Sequence, residues 1–295
     1  MKKPIFCGSG VAIITPFSNG KIDYDSFHSL LDRQIESGTD AVIVCGTTGE
    51  ASTLSKEERR NLIADCAAYV KHRVPVIAGT GSNSTETAIA QSLDAQACGA
   101  DALLLVTPYY NKATQDGLIA HFTAIADAVS LPIILYNVPS RTGVCCEAET
   151  YRTLAAHPNI IGVKEASGAL RLLQQTRCLC PDDFYIWCGN DEETVSTMAH
   201  GAVGVISVTA NIVPKEMHTM ASLCLNDKIS AAGALQLRLF DLNKSLFCEV
   251  NPIPVKYALS RMHLCQNEFR LPLCPISPEN AAVLNQVLVS LSLLS

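Results

Sequence analysis

Lys164 is the residue of this chain best placed to act as a nucleophile. It follows Ile160, Ile161, Gly162 and Val163, a continuously apolar run, so its amine is expected at a partly desolvated strand end, where an ammonium loses its proton more readily. A neutral lysine amine attacks carbonyl carbons and forms imines. Position alone also allows a strand-end lysine that snorkels to solvent or pairs with Glu165. Tyr136 closes the preceding apolar run, and adjacent strands would bring its hydroxyl to that amine as a proton-transfer group. Tyr109 and Tyr110 offer further hydroxyls, although a single tyrosine reads equally well as a rim aromatic with one hydrogen bond. The string Gly46-Thr47-Thr48-Gly49-Glu50 can cradle a carboxylate through N–H groups and threonine hydroxyls, or simply turn the chain.

Other chemistries lack their signatures. Neither Gly8-Ser9-Gly10 nor Gly79-Thr80-Gly81 completes G-x-G-x-x-G, and no Walker A, G-x-S-x-G or H-E-x-x-H string occurs, which weakens nucleotide, serine-hydrolase and zinc-protease readings. The 7 histidines are scattered, leaving open only a metal site assembled by folding. The formal charge of -6 and the lack of basic clusters argue against nucleic acid as a partner. No apolar run reaches membrane-spanning length, and Pro4, Gly8 and Gly10 interrupt the stretch a signal peptide would need. The 13 cysteines are odd in number and contain no C-x-x-C pair, so they are expected to be reduced, small buried hydrophobes of a cytoplasmic protein. Adjacent Cys145 and Cys146 leave a redox switch as the alternative.

The elements that must position Lys164 are short apolar runs at 11–15, 41–45, 74–78, 102–106, 133–136, 160–163, 184–188 and 203–208. Continuous rather than alternating hydrophobicity predicts strands covered on both faces, as in a parallel sheet. Amphipathic stretches separate them: Phe27, Leu30, Leu31 and Ile35 share one helical face that stops at Gly38, Ser55 with Glu58 reads as a capping box, and Asn83 with Glu86 as a helix start. Asp116 precedes a face of Leu118, Ile119, Phe122, Ile125 and Val129. Eight strands alternating with helices fit a closed (β/α)₈ TIM barrel or a doubly wound open sheet. In a barrel, function sits after the strands, and the 46–50 turn, Thr107-Pro108-Tyr109-Tyr110-Asn111, Tyr136-Asn137-Val138-Pro139-Ser140-Arg141-Thr142-Gly143 and Lys164-Glu165-Ala166-Ser167 all follow apolar runs. Residues 1–213 are therefore read as the catalytic barrel and 214–295 as a C-terminal helical extension packed on it.

Val11-Ala12-Ile13-Ile14-Thr15-Pro16, the 46–50 turn, Ala78-Gly79-Thr80-Gly81, the Tyr109 and Tyr136 strings, and Asn251-Pro252-Ile253-Pro254-Val255-Lys256 together resemble the dihydrodipicolinate synthase and N-acetylneuraminate lyase superfamily, over essentially the whole chain. The resemblance implies a TIM barrel and a Schiff-base lyase without a separate cofactor. Lys164 would carry the imine, Tyr136 would donate and accept protons, Thr47 and Tyr110 would relay them, Thr48 and Ile206 would contact pyruvate, and Gly189 would offer a backbone group. Arg141 favours the synthase branch, because its guanidinium can hold the carboxylate of aspartate semialdehyde; an exposed loop salt bridge is its plainer reading. Another 2-oxo-acid aldolase and a silent pyruvate-binding regulator stand as alternatives.

The resemblance also implies a homotetramer in which Tyr110 enters a neighbour's site. Asn83 and Tyr109 match a lysine-binding allosteric pattern. Lys56 and Arg59 stand where sensitive relatives often carry histidines, and Thr87 replaces a glutamate, so weak or absent lysine inhibition is expected. A solvated helix face is the simpler explanation of Lys56 and Arg59.

Overall fold

The computed structural model describes residues 1–294. Eight parallel strands close into a barrel: β1 (Gly8–Ala12), β2 (Ala41–Val44), β3 (Val76–Gly79), β4 (Ala102–Val106), β5 (Ile133–Asn137), β6 (Ile160–Glu165), β7 (Tyr185–Cys188) and β8 (Gly204–Ser207). Each pairs with its neighbours in sequence, and β1 pairs with β8 to close the ring. The strands are buried almost throughout, and mostly apolar, because both faces are covered. Ile43, Ile77, Leu104, Ile134, Ile161, Trp187 and Ile206 fill the barrel with Phe6, while Val42, Val44, Leu103, Leu105, Val163 and Ile186 face the helices. Trp187 stacks on Phe6 at a centroid distance of 5.4 Å and donates from Nε1 to its carbonyl at 3.3 Å, plugging the interior.

The first strand starts at Gly8 rather than at Val11. The Gly8-Ser9-Gly10 string, read from sequence as an interruption, is strand because neighbouring groups crowd it: a Cβ on Gly10 would lie 2.9 Å from both Ile43 and Phe6.

Strand β6 carries an irregularity that sets the site. Ile133 faces Ile160, but Ile134 faces Gly162, so one residue is added to β6. Ile161 packs inside the barrel, Val163 packs outside, and Lys164 lines the interior mouth. The change of phase falls at Gly162, where a Cβ would meet the Tyr185 backbone, its carbonyl carbon at 2.7 Å. Only glycine fits between strands so close.

Helices α1 (Tyr24–Glu36), α2 (Lys56–Val70), α3 (Thr85–Ala97), α4 (Gln115–Ala128), α5 (Ala148–Leu154), α6 (Leu170–Leu179), α7 (Thr194–Ala199) and α8 (Pro214–Leu225) follow the strands in turn. Helix α2 carries the capping box of Ser55 and Glu58. The start of α3 is displaced from the sequence reading: Ser84, not Asn83, accepts from Thr87 N as N-cap, serine capping as well as asparagine. Helix α4 is capped by Thr114, so Asp116 lies within its first turn. The division at 213/214 groups α8 with the extension, yet α8 packs on β1 and β8 as a barrel helix does. Beyond it, α9 (Ile229–Arg238) packs on α7 and α8, α10 (Phe240–Leu246) and α11 (Ile253–Arg261) pack on the short turns that follow the last barrel strands, and α12 (Pro278–Ser290) packs on α10 and α11.

The cysteines divide. Cys45, Cys66, Cys146, Cys180, Cys188 and Cys224 are buried, and burial pushes the thiols of Cys45 and Cys188 up to about 12. Cys7, Cys178, Cys248 and Cys274 are exposed, correcting the reading of all 13 as buried; helix surfaces and loops, not core, hold these four. All 13 are free thiols.

Gly162→Ala is expected to lower stability by about 1–3 kcal/mol, the usual cost of forcing atoms into a packed core. Gly233→Ala, in helix α9 with no atom within 4 Å of the added Cβ, is expected to raise it by about 0.5–1 kcal/mol. Urea unfolding of both variants checks this, and equal effects would show that strand spacing does not constrain residue 162.

Candidate active site

Register builds the centre of the site. Tyr136 pairs with Lys164 across β5 and β6, and Asn137 with Glu165 one step further on. Because successive side chains alternate between faces, Tyr136 and Lys164 point into the barrel mouth while Asn137 and Glu165 point to the helices. Lys164 Nζ lies 4.4 Å from the centroid of the Tyr136 ring. Both residues are buried, at 5% and 8% exposure. They line a cavity of ≈ 160 Å³ together with Thr47, Thr48, Ser140, Arg141, Gly189, Asn190 and Asn251.

The alternative pairing of Lys164 with Glu165 does not occur. Glu165 accepts instead from Asn137 Nδ2 at 3.1 and 3.2 Å, Tyr151 Oη at 2.9 Å and Ser167 N at 2.8 Å. Burial raises its pKa, against the downward pull of these donors. This network fixes from outside the two strand ends that carry Tyr136 and Lys164.

The 46–50 turn rises from β2. Gly49 N and Glu50 N bond back to the carbonyls of Gly46 and Thr47, both at 3.1 Å, and Thr15 Oγ1 donates to Gly49 O at 2.7 Å. Thr47 is exposed to the cavity and Thr48 is buried. Thr48 Oγ1 accepts from Asn251 Nδ2 at 2.9 Å. The one-turn helix Pro139–Thr142 after β5 presents Arg141, whose Nη2 donates to Asn251 O at 3.4 Å. Its guanidinium thus meets a carbonyl rather than closing a surface ion pair.

Three expected residues sit differently. Ile206 is fully buried inside the barrel, opposite Gly10, and lines no part of the cavity. Gly189 lines it, but its N–H is committed to Glu165 O at 2.7 Å, leaving the carbonyl as its available backbone group. Tyr110 is 89% exposed and lines neither this cavity nor the larger one beside it. Its backbone is left-handed at φ 74°, uncommon for a bulky residue.

The larger cavity, ≈ 970 Å³, shares Thr47, Tyr136 and Arg141 with the first and extends past Tyr109, Lys56, Arg59, Thr87 and Glu86. Asn83 is not among its lining residues; its carbonyl accepts from Asn111 Nδ2 at 2.9 Å. Lys56 pairs with Asp94 at 3.3 Å. Arg59 is no solvated side chain: it donates to Gly79 O at 2.7 Å, Gln91 Oε1 at 2.9 Å and Ala51 O at 3.2 Å.

Sequence reasoning missed Asn251 and Asp191. Asp191 is fully buried, and its Oδ2 accepts from Val208 N at 2.9 Å and Thr209 N at 3.0 Å. Burial raises its pKa, opposed by Ser207, these two amides and the charge of Lys164. Its adjacency to Asn190 after β7 was the available signal. Among the described residues no group of three or more His, Cys, Asp or Glu is arranged to hold a metal ion.

A lysine amine enclosed beside a tyrosine at the C-terminal mouth of a (β/α)₈ barrel is the arrangement of a barrel enzyme that can form an imine with a carbonyl substrate. The model of the dihydrodipicolinate synthetase family matches residues 5–291, and the chain belongs to that family. A relative from Thermoanaerobacter sp. (strain X514), named 4-hydroxy-tetrahydrodipicolinate synthase, is 49% identical over 99% of this chain and 98% of its own. A chloride-inhibited dihydrodipicolinate synthase from Acinetobacter baumannii, solved with pyruvate, is 44% identical with a TM-score of 0.96, covering 98% of this chain and 99% of that one. A monomeric dihydrodipicolinate synthase variant superposes with a TM-score of 0.97 at 41% identity, covering 98% of each chain.

The raised pKa of Glu165 has a sign that can be checked. A carboxyl whose folded pKa lies above its ordinary 4.5 stabilises the fold fully below that value, and loses this contribution as pH rises through the folded pKa. The stability of the parent relative to Glu165→Gln is therefore expected to fall as pH is raised from about 4.5. Denaturant unfolding across pH measures it, and a difference independent of pH would contradict the assignment.

Proposed function

We propose that this chain condenses pyruvate with L-aspartate 4-semialdehyde, releasing 4-hydroxy-tetrahydrodipicolinate, through an imine on Lys164. The observation that carries the reading is the in-register pairing of Lys164 with Tyr136 inside a small cavity lined by two threonines and an arginine. A cavity of about 150 Å³ holds a benzene-sized molecule, so ≈ 160 Å³ suits a compact 2-oxo acid.

The Lys164 amine attacks the ketone of pyruvate and water leaves, giving an iminium that serves as electron sink. A methyl proton departs, and the enamine carbon attacks the aldehyde, whose oxygen takes up a proton. The semialdehyde amine then adds to the imine carbon and expels Lys164, closing the ring. Tyr136 moves these protons, with Thr47 and Tyr110 as relay. Thr48 contacts the pyruvate carboxylate and Arg141 holds the semialdehyde carboxylate in a charge-assisted contact. Ile206 would act by packing behind the pyruvate, and Gly189 through its carbonyl. The chemistry needs no separate cofactor because lysine itself forms the iminium.

Tyr110, exposed and held at positive φ, fits a relay only if it enters the site of another copy. Following the family resemblance, we read the protein as a homotetramer with sites shared between subunits. A cytoplasmic location agrees with the free thiols and with the biosynthetic reaction; no helix among the described residues is long and apolar enough to cross a membrane. At the larger cavity, four cations (Lys56, Arg59, Arg60 and Arg141) outnumber two carboxylates, Glu86 and Asp94. This balance disfavours binding of free lysine as an inhibitor.

Borohydride reduction with pyruvate, followed by peptide mass mapping, is expected to trap the imine on Lys164. Lys164→Ala should abolish trapping and lower turnover by about three or more orders of magnitude, and label on a different lysine would overturn the mechanism. Arg141→Ala should keep trapping while raising the KM for the semialdehyde, and loss of trapping with unchanged aldehyde kinetics would contradict its role. Turnover is expected to stay flat over a lysine titration; strong inhibition below substrate concentrations would show that the cavity accepts lysine.

A further inference from the structure

Lys256 and Glu50 form an ion pair at 2.6 Å in which neither side chain has any exposure, 0% for each. The Lys256 amine also lies 4.3 Å from the centroid of the Phe17 ring and 5.0 Å from that of Phe269. Burial pulls its pKa below the ordinary lysine value, and Glu50 opposes the shift. Removing two charges from water is so unfavourable that replacing such a pair with apolar side chains is often neutral or stabilising. Stability is a poor reason for this pair, and its location supplies a better one.

Glu50 closes the turn whose Thr47 and Thr48 line the cavity, and it does so at φ 51°, a left-handed conformation that a residue with a Cβ adopts only when held. Lys256 grips one carboxylate oxygen, and Arg270 N donates to the other at 3.3 Å. Five residues before Lys256, Asn251 donates to Thr48 Oγ1 and accepts from Arg141 through its carbonyl. One short segment, 251–256, therefore touches the carboxylate-binding turn for the first substrate and the guanidinium for the second.

We propose that Lys256 is a positioning residue for this reaction: through Glu50 it holds the 46–50 turn in the shape that receives the pyruvate carboxylate, with Asn251 completing the brace from the same segment. The inference rests on the reading of Lys164 as the pyruvate-binding amine. A turn released from this brace still carries Thr47 and Thr48 but no longer presents them together, so pyruvate binds less well and, with the Thr47 relay displaced, a bound molecule also reacts more slowly.

The test replaces the pair as a unit, with Lys256→Met and Glu50→Leu together, because a single apolar replacement would strand a buried charge. The folded double variant is expected to raise the pyruvate KM about tenfold or more and, because Thr47 moves with the turn, to lower kcat as well, so that kcat/KM for pyruvate falls by more than about tenfold. A merely structural role would reduce the amount of folded enzyme and leave KM unchanged; an unchanged pyruvate KM thus overturns the proposal. Borohydride trapping on the parent separates the two readings. Trapping on Lys164 in the parent with unaltered KM in the variant defeats this inference alone, whereas no trapping in the parent defeats the proposed function and this inference with it. Should the double variant not fold, Glu50→Gln takes its place, since Lys256 can shed its proton beside a neutral amide. A smaller rise in pyruvate KM is expected there, and a KM equal to that of the parent again overturns the proposal.

Discussion

The register between β5 and β6 is the constraint on which the site depends. Parallel strands present side chains with a period of two, and a slip of one residue turns every side chain to the opposite face. The added residue between Ile160 and Gly162 does this locally and by design of the sequence: it moves Tyr136 from Val163 to Lys164 as its partner. Without it, the amine would face the helices and Val163 the cavity. The register is then held from the far side, where Asn137 and Glu165 meet across the same two strands. Interior chemistry and exterior network are two faces of one pairing.

Much of this was legible in the sequence because it is written in local patterns. Continuous apolar runs marked the strands, since every strand of a covered parallel sheet is buried on both faces. The Ser55–Glu58 cap was visible because its partners are three residues apart. The residues at or just beyond the ends of strands six, five and two, Lys164, Arg141 and Thr47, come together in the cavity because the barrel gathers all strand ends at one mouth.

What escaped depends on distance or on phase. The bulge in β6 is marked in the sequence only by the isolated glycine at 162, and the change of phase itself cannot be read from a run with no polar position to set the faces. The first strand was placed late because glycines read as breaks where the closed ring uses them for close approach. Asn251 belonged to a recognised string, yet its bond to Thr48 joins residues 203 positions apart, and nothing local announces it. Asn83 and Ser84 are equivalent as caps from sequence, and only the helix itself distinguishes them. Exposed Tyr110 shows a further limit of local pattern: nothing in its neighbouring residues announces that its side chain lines neither cavity.

The pair between Lys256 and Glu50 spans 206 residues, and this separation has a temporal meaning. Chains are made from the N-terminus, at roughly 5–20 residues per second, so the 46–50 turn exists for on the order of ten seconds or more before its anchor is synthesised. During that time Glu50 has no buried cation to meet, and its left-handed backbone has little to hold it. Contacts of such long range form late, after the chain has lost the entropy of closing the loop between them. The barrel can gather its strands while the chain is still growing. If Lys256 braces the turn as proposed, the mouth takes its final shape only after residue 256 has been made and docked.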